Sequence, residues 1–516
     1  MIRDPATTDL ASPGRLEQIP ARWASVRGSA LALSDPRGEW TWRELEHGRK
    51  QLAELLLTLG VRAGDRVMVV AENCATLVAV LFAITSVGAW TVNVNARLSP
   101  REIDAIRGHC TPRRVLYLGD DSADARHHAE RVQATRLSLG RWGTIAVTSL
   151  DERSTPEPGT GQGAKDVAAL LYTTGTTGEP KAVMLTHANL LFIARVSGEL
   201  RQLTHDDRVY GLLPISHVYG LASVCLGSLR AGASLHLQPR FNPASMAEYL
   251  ASHAITVCQG VPAMYAKLLE HLKARGERLR LPGLRLLNAG GSPLTAALKR
   301  EVESAFGLAL QNGYGLTEAS PSLIQTRQDE PRDDVSVGRA IPGVELRIVD
   351  DQGRDVEPGT AGELWARGPN IMKGYYRDAA ATTEAIRPGG WLATGDIARQ
   401  ANDGAYFIEG RLKELIIRSG FNVNPVEVEA VLNSHPDVTQ SAVVGRKKDG
   451  DEEVVAFVEL AAGARTTPEA LLGYAAGMLA PYKRPAEIIT MGALPTAANG
   501  KVLKNRLAQI ARGRDA

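Results

Sequence analysis

Short β-branched runs alternate with amphipathic stretches along most of the chain, and this alternation restricts the fold more than any other feature. GDRVMVVA, PRRVLYLG, ASLHLQP, ITVCQGVP and LRLLNAGG are brief apolar runs with Gly or Pro at their ends, the pattern of strands buried on both faces. Between them lie helical patterns such as WRELEHGRKQLAELLLTLG, preceded by Thr41 as a cap and closed by Gly60, which mark a helix start and stop. Strands that alternate with helices build parallel sheets from βαβ units. Past about Val335, VELRIVD, GELWARG, WLATGD and AYFIEGR are separated by turn residues, which predicts antiparallel sheet. After Arg411, IIRSGFNV, a helix over 425–433, SAVVGR, EVVAFVEL and a helix near 468–479 read as a compact α+β unit. The expected organisation is α/β: a large N-terminal domain, 1–411, of parallel βαβ-type sheets plus an antiparallel barrel-like part, and a small α+β domain, 412–516.

Composition removes several function classes. The 59 basic and 57 acidic side chains leave a net charge of +2, so bulk charge supports neither nucleic-acid nor membrane-surface binding. Cys74, Cys110, Cys225 and Cys258 are far apart in sequence, which reads as free thiols in a reducing cytoplasm rather than a zinc or disulfide framework. No charge occurs between Glu72 and Arg97, but LVAVLFAITSVGAW is broken at Gly88 and followed by Asn93 and Asn95. A buried helix running into a buried strand fits that stretch, not a membrane span. No signal peptide is expected from MIRDPATTDL, which lacks an apolar core.

The strongest chemical signal is YTTGTTGEPKAVMLTH, from Tyr172 to His187. Gly175 and Gly178 let backbone N–H groups approach phosphate oxygens. Thr173, Thr174, Thr176 and Thr177 add hydroxyls, and Lys181 adds a point charge. Read after the apolar run VAALL, the segment is a strand feeding a loop and then a helix, a polyphosphate cradle without the Walker A spacing.

This segment resembles the phosphate-binding signature of the adenylate-forming superfamily: acyl-CoA synthetases, luciferases and peptide-synthetase adenylation domains. Further signatures follow in family order: NAGGSPL at 288–294, NGYGLTE at 312–318, TGD at 394–396, GRLKELIIRSGFNV at 410–423 and NGK at 499–501. The resemblance spans nearly the whole chain and implies an acyl-CoA synthetase that uses ATP, Mg²⁺ and CoA. It places Thr173–Gly178, Lys181, Gly291, Asn312, Gly313, Tyr314, Gly315, Thr317, Asp396 and Arg411 around ATP or AMP. Tyr314 would stack on adenine, Thr317 contact the α-phosphate, and Asp396 and Arg411 hold the ribose. Glu318, with Thr176, would hold Mg²⁺, an ion that prefers oxygen ligands and substrate phosphates. Lys501 would stabilise charge as the carboxylate attacks the α-phosphorus, and His217 would position that carboxylate.

The resemblance also implies an acyl pocket of His217, Tyr219, Ala222, Val261, Met264, Gly290, Gly313, Gly315 and Pro321. Acetate-specific relatives carry tryptophan at the place of Gly315, so glycine implies a larger, apolar acid: medium- or long-chain fatty, or aryl. No basic residue stands in that set, which ranks dicarboxylic acids lower. Lys413 matches the hinge about which the small domain is expected to rotate, retracting Lys501 and presenting Gly420 and Phe421 to CoA. Ile417 and Ser419 stand where plant-type relatives often have lysines. The alternative is a free-standing ligase that delivers to a carrier-protein phosphopantetheine, because the fifteen residues after Lys501 are too few for a fused carrier. A cytoplasmic location is expected, and a homodimer is compatible with the resemblance.

Overall fold

The structure is a computed structural model that describes residues 13–174, 180–419, 421–448, 451–461, 463–496 and 501–513. Two large sheets sit side by side. In the nine-stranded sheet, Leu310–Gly315, Leu286–Gly290, Val257–Gly260, Arg208–Gly211, Ser234–Leu237 and Leu31–Asp35 run parallel, and antiparallel strands flank them. In the eight-stranded sheet the parallel centre is Val167–Thr174, Trp90–Asn95, Arg66–Ala71 and Arg114–Tyr117. All five runs read as buried strands from the sequence are strands of these two sheets.

The charge-free stretch becomes the helix Ala75–Ser86, buried along its length, and the fully buried strand Trp90–Asn95. A helix that is apolar on every side belongs in a core, and this one joins the hydrophobic cluster shared by both sheets. Among the described residues, no helix is long and apolar enough to cross a membrane. Thr41 caps Trp42–Thr58 through a capping box with Glu44, which satisfies two of the helix's orphan donors.

The antiparallel part is a five-stranded sheet that includes Gly362–Arg367, Trp391–Gln400 and Tyr406–Arg411. Beyond Arg411 the hairpin Ile416–Arg418 and Phe421–Val423, the sheet of Val438–Lys448, Asp451–Leu460 and Glu487–Met491, and the helices Pro425–Leu432, Pro468–Ala476 and Lys504–Arg512 enclose two clusters drawn from residues 416–511 alone. A separate core is what lets a segment fold as its own unit. Lys267 Nζ reaches Glu459 Oε1 at 2.5 Å between the two parts.

Two deeply buried histidines give the fold an acid limit. Burial lowers the pKa of His187 and of His236 to about 3 each, and His187 Nδ1 accepts from the Leu16 N–H at 3.2 Å. An unfolded histidine titrates near 6.5, so the stability these neutral rings allow is complete above that pH and falls as pH drops toward 3. Between pH 6.5 and 5 each histidine is expected to remove about 2 kcal/mol. Urea midpoints across that range should show the loss, and His187→Gln should flatten the slope.

Candidate active site

The phosphate-binding segment departs from the expected strand, loop and helix. Val167–Thr174 is followed by a second strand, Pro180–Thr186, paired antiparallel to it, and only then by the helix His187–Leu200. Lys181 therefore lies on a strand, opposite Thr173, and Ala182 is a buried strand residue opposite Tyr172, not the start of a helix. Thr186 stops the strand because its hydroxyl caps the next helix at the Asn189 N–H, 3.1 Å away. Gly175, Thr176, Thr177 and Gly178 lie outside the described residues, as does Gly420.

NGYGLTE forms the end of the strand Leu310–Gly315 and the 3₁₀ turn Thr317–Ala319. The Asn312 Nδ2 donates to the carbonyls of Val335 and Ser336, and its Oδ1 accepts from the Gly313 N–H, which braces the glycines and Tyr314. The Tyr314 hydroxyl donates to Asp396 Oδ2 at 2.5 Å, and Arg411 Nε meets Asp396 Oδ1 at 2.9 Å. Asp396 and Arg411 are register partners on neighbouring strands, so the pair is set by the ladder itself. Burial raises the Asp396 pKa while Arg411 opposes that rise.

Glu318 accepts from the Tyr375 hydroxyl at 2.8 Å, and Lys181 Nζ sits 5.2 Å from the Tyr375 ring centroid. Tyr375 thus links Lys181 to Glu318, a residue the sequence reading missed because no motif surrounds it. A half-buried lone carboxylate suits Mg²⁺, which keeps waters and phosphate oxygens as its other ligands. Among the described residues no cluster of three His, Cys, Asp or Glu side chains offers a separate metal cage.

Lys501 comes to the same place from the other end of the chain. Desolvation first, and then Arg411, lowers its pKa, while Glu414 and Asp396 oppose the fall. Its charge also reaches His217, whose pKa is lowered to about 4, chiefly by burial. His217 is therefore neutral at physiological pH, as expected of a positioning group rather than a proton shuttle. Lys413 is exposed in the 3₁₀ turn Leu412–Glu414 that joins the two parts. Phe421 is half exposed and stacks on Tyr482, ring centroids 4.7 Å apart.

Of the expected acyl pocket, Tyr219 and Ala222 lie on a π-helical turn, Tyr219–Leu226, a form enriched at functional sites. The Tyr219 ring packs on bare backbone. A Cβ at Gly290 would meet it at 3.3 Å, and Gly290 is register partner to Gly313. Gly291 has φ +80°, a left-handed conformation, and a Cβ there would touch Val261 at 3.7 Å. Met264 is buried on the helix that follows Val261, a neighbour of Gly260.

Gly315 needs a correction. A Cβ there would come within 2.0 Å of the Pro321 carbonyl oxygen, which accepts the Leu316 N–H at 3.0 Å. Backbone approach already demands glycine, so its presence does not measure the pocket. Gly315→Ala is expected to destabilise the protein by about 1–3 kcal/mol or more through this overlap and to displace Tyr314. Thermal unfolding alongside the KM for ATP would register both effects.

Residues 20–376 match the family model described as AMP-binding enzyme, and residues 427–501 that of the AMP-binding enzyme C-terminal domain. The chain belongs to the AMP-binding enzyme family, as an AMP-forming acid–thiol ligase that uses ATP, Mg²⁺ and CoA. It is 34% identical to a feruloyl-CoA synthase of Amycolatopsis sp. over 95% of this chain and 97% of the relative. The anthranilate CoA ligase AuaEII in complex with anthranoyl-AMP is similar in structure, with a TM-score of 0.85, 26% identity and coverage of 99% and 100%. O-succinylbenzoate coenzyme A synthetase (MenE) from Bacillus subtilis, with ATP and magnesium ion, has a TM-score of 0.79, 28% identity and coverage of 95% and 98%.

Proposed function

We propose that the acid is an aryl acid larger than acetate, activated as its acyl-AMP with release of pyrophosphate and then transferred to CoA. The flat wall carries this reading: the Tyr219 ring lies against Gly290, whose register partner is Gly313. Such a wall accepts a planar ring by stacking. The feruloyl-CoA synthase and the anthranilate ligase, both named for aryl acids, support the same class.

In the adenylation step Lys181 and Lys501 hold negative oxygens as charge moves from carboxylate to phosphate, the term that dominates in such sites. Asp396 accepts from the ribose, and Tyr314 presents its ring to the base. Neutral His217 orients the carboxylate as a hydrogen-bond donor and takes no part in proton transfer. Glu318, together with phosphate oxygens, would hold Mg²⁺, which would supply positive charge against the polyphosphate. Residues 412–516 then turn about Lys413, withdrawing Lys501 and bringing the Gly420–Phe421 segment to the thiol. The separate core of that unit and the nearness of Lys501 to Asp396 support this account, with the adenylation arrangement as the one described here. Four buried thiols suit a reducing cytoplasm.

The test is pyrophosphate release with ATP, Mg²⁺ and matched aryl, fatty and short acids, followed by thioester formation with CoA. Aryl acids are expected to lead in kcat/KM; a lead by fatty acids would overturn the class. Pyrophosphate without consumption of CoA would move the acceptor to a carrier-protein phosphopantetheine.

A further inference from the structure

Arg201, at the end of the helix His187–Leu200, is among the most deeply buried large side chains described, 2% exposed. Its Nη1 donates to the Ser223 carbonyl at 3.3 Å and its Nη2 to Gln325 Oε1 at 3.2 Å; its Nε has no partner among the described residues. Among the described residues no carboxylate forms an ion pair with it, and burial lowers its pKa. Arg66, equally buried, shows what a purely structural arginine looks like here. Its guanidinium donates to the carbonyls of Gly64, Cys110, Thr111 and Thr155. Arg66 thus satisfies its guanidinium with carbonyls, whereas Arg201 keeps a buried Nε–H without a partner among the described residues, a group that is costly to leave unpaired.

The position of Arg201 says where that partner would be. Ser223 shares the π-helical turn with Tyr219 and Ala222, and Gln325 Cγ would lie 3.7 Å from a Cβ on Gly313. Arg201 therefore backs the pocket assigned above. A second observation points the same way. Gln259 is fully buried with neither amide atom bonded, and Asn288 Nδ2 is also unpartnered. The two are register neighbours, and Asn288 Oδ1 accepts from the Tyr219 hydroxyl at 2.7 Å. Asn288 and Gly290 share one face of their strand, the face that Tyr219 covers. Buried polar atoms are nearly always paired, yet Arg201 Nε, both Gln259 amide atoms and Asn288 Nδ2 have no partner among the described residues.

We propose that Arg201, with Gln259 and Asn288, forms a subsite for an anionic or strongly accepting oxygen at the end of the acid remote from its reacting carboxylate. This rests on the acyl-pocket reading above, and it reverses the expectation from the sequence that acids with a second carboxylate rank low. That expectation considered only the motif residues, and Arg201 stands outside every motif.

The experiment compares three aryl acids identical except for the distal group (carboxylate, hydroxyl or methyl), read as pyrophosphate release. In the unaltered enzyme at least one oxygen-bearing acid is expected to exceed the methyl acid by about tenfold or more in kcat/KM, mostly through KM. Which of the two leads identifies the oxygen as carboxylate or phenol. Arg201→Met should bring the ratio close to one, and Arg201→Lys should restore part of it. A methyl acid that turns over as well as both others in the unaltered enzyme overturns the subsite while leaving the ligase reading intact. So does a ratio that survives Arg201→Met. If Arg201→Met does not fold, the comparison in the unaltered enzyme decides alone. Absence of pyrophosphate with every acid would instead strike the function itself.

Discussion

Replacing Lys501 by alanine is expected to slow acyl-AMP formation about 10²–10³-fold, the scale for removing one donor aimed at developing charge. On the proposed rotation of the small domain, which withdraws this lysine, thioester formation from supplied acyl-AMP should stay near its original rate. The geometry motivates the split. The ammonium group interacts electrostatically with His217, Asp396, Arg411 and Glu414, the residues proposed to meet the acid and the nucleotide. The hairpin that bears Phe421 has other neighbours, Tyr482 and Asp451. Each half-reaction is read separately, the first by pyrophosphate and the second by thioester from synthetic acyl-AMP. Equal loss in both would refute the rotation of the small domain about Lys413.

What the sequence made legible follows the range over which each signal acts. The helix over Trp42–Thr58 was plain because its period, its Thr41 cap and its Gly60 stop are all local. The buried helix and strand from Ala75 to Asn95 were plain because an uncharged stretch has nowhere else to go. Pro180–Thr186 was misread as a helix start because four apolar residues carry no period of their own. The pairing that makes them a strand belongs to Val167–Thr174 across the loop. Gly315 was misread for a related reason, since the Pro321 carbonyl that excludes a side chain comes near only through the fold. Arg201 was invisible: GELRQL reads as an ordinary polar helix end, and burial is a property of the packed molecule. Motifs name the residues around Asp396 and Tyr314 because each motif is local, whereas the expected acyl pocket draws on elements far apart in the chain.

Asp396→Asn is the second large effect, and it tests the nucleotide end of the site. The carboxylate is 3% exposed, between the Tyr314 hydroxyl and the Arg411 guanidinium. Charged hydrogen bonds of this kind are worth about 1.5–3 kcal/mol each. Losing the charge weakens the bond to the ribose and leaves Arg411 uncompensated, so kcat/KM for ATP is expected to fall about 10²–10³-fold on that scale. Much of that fall should appear in KM, since the ribose is held in the ground state as well as the transition state. A double-mutant cycle separates the two causes. If the damage comes from an unpaired Arg411, then Asp396→Asn with Arg411→Gln should be less harmful than the sum of the single changes. Strict additivity would assign the whole effect to the ribose. A variant that binds ATP as tightly as the unaltered enzyme would remove Asp396 from the nucleotide site and leave it as a strut between two strands.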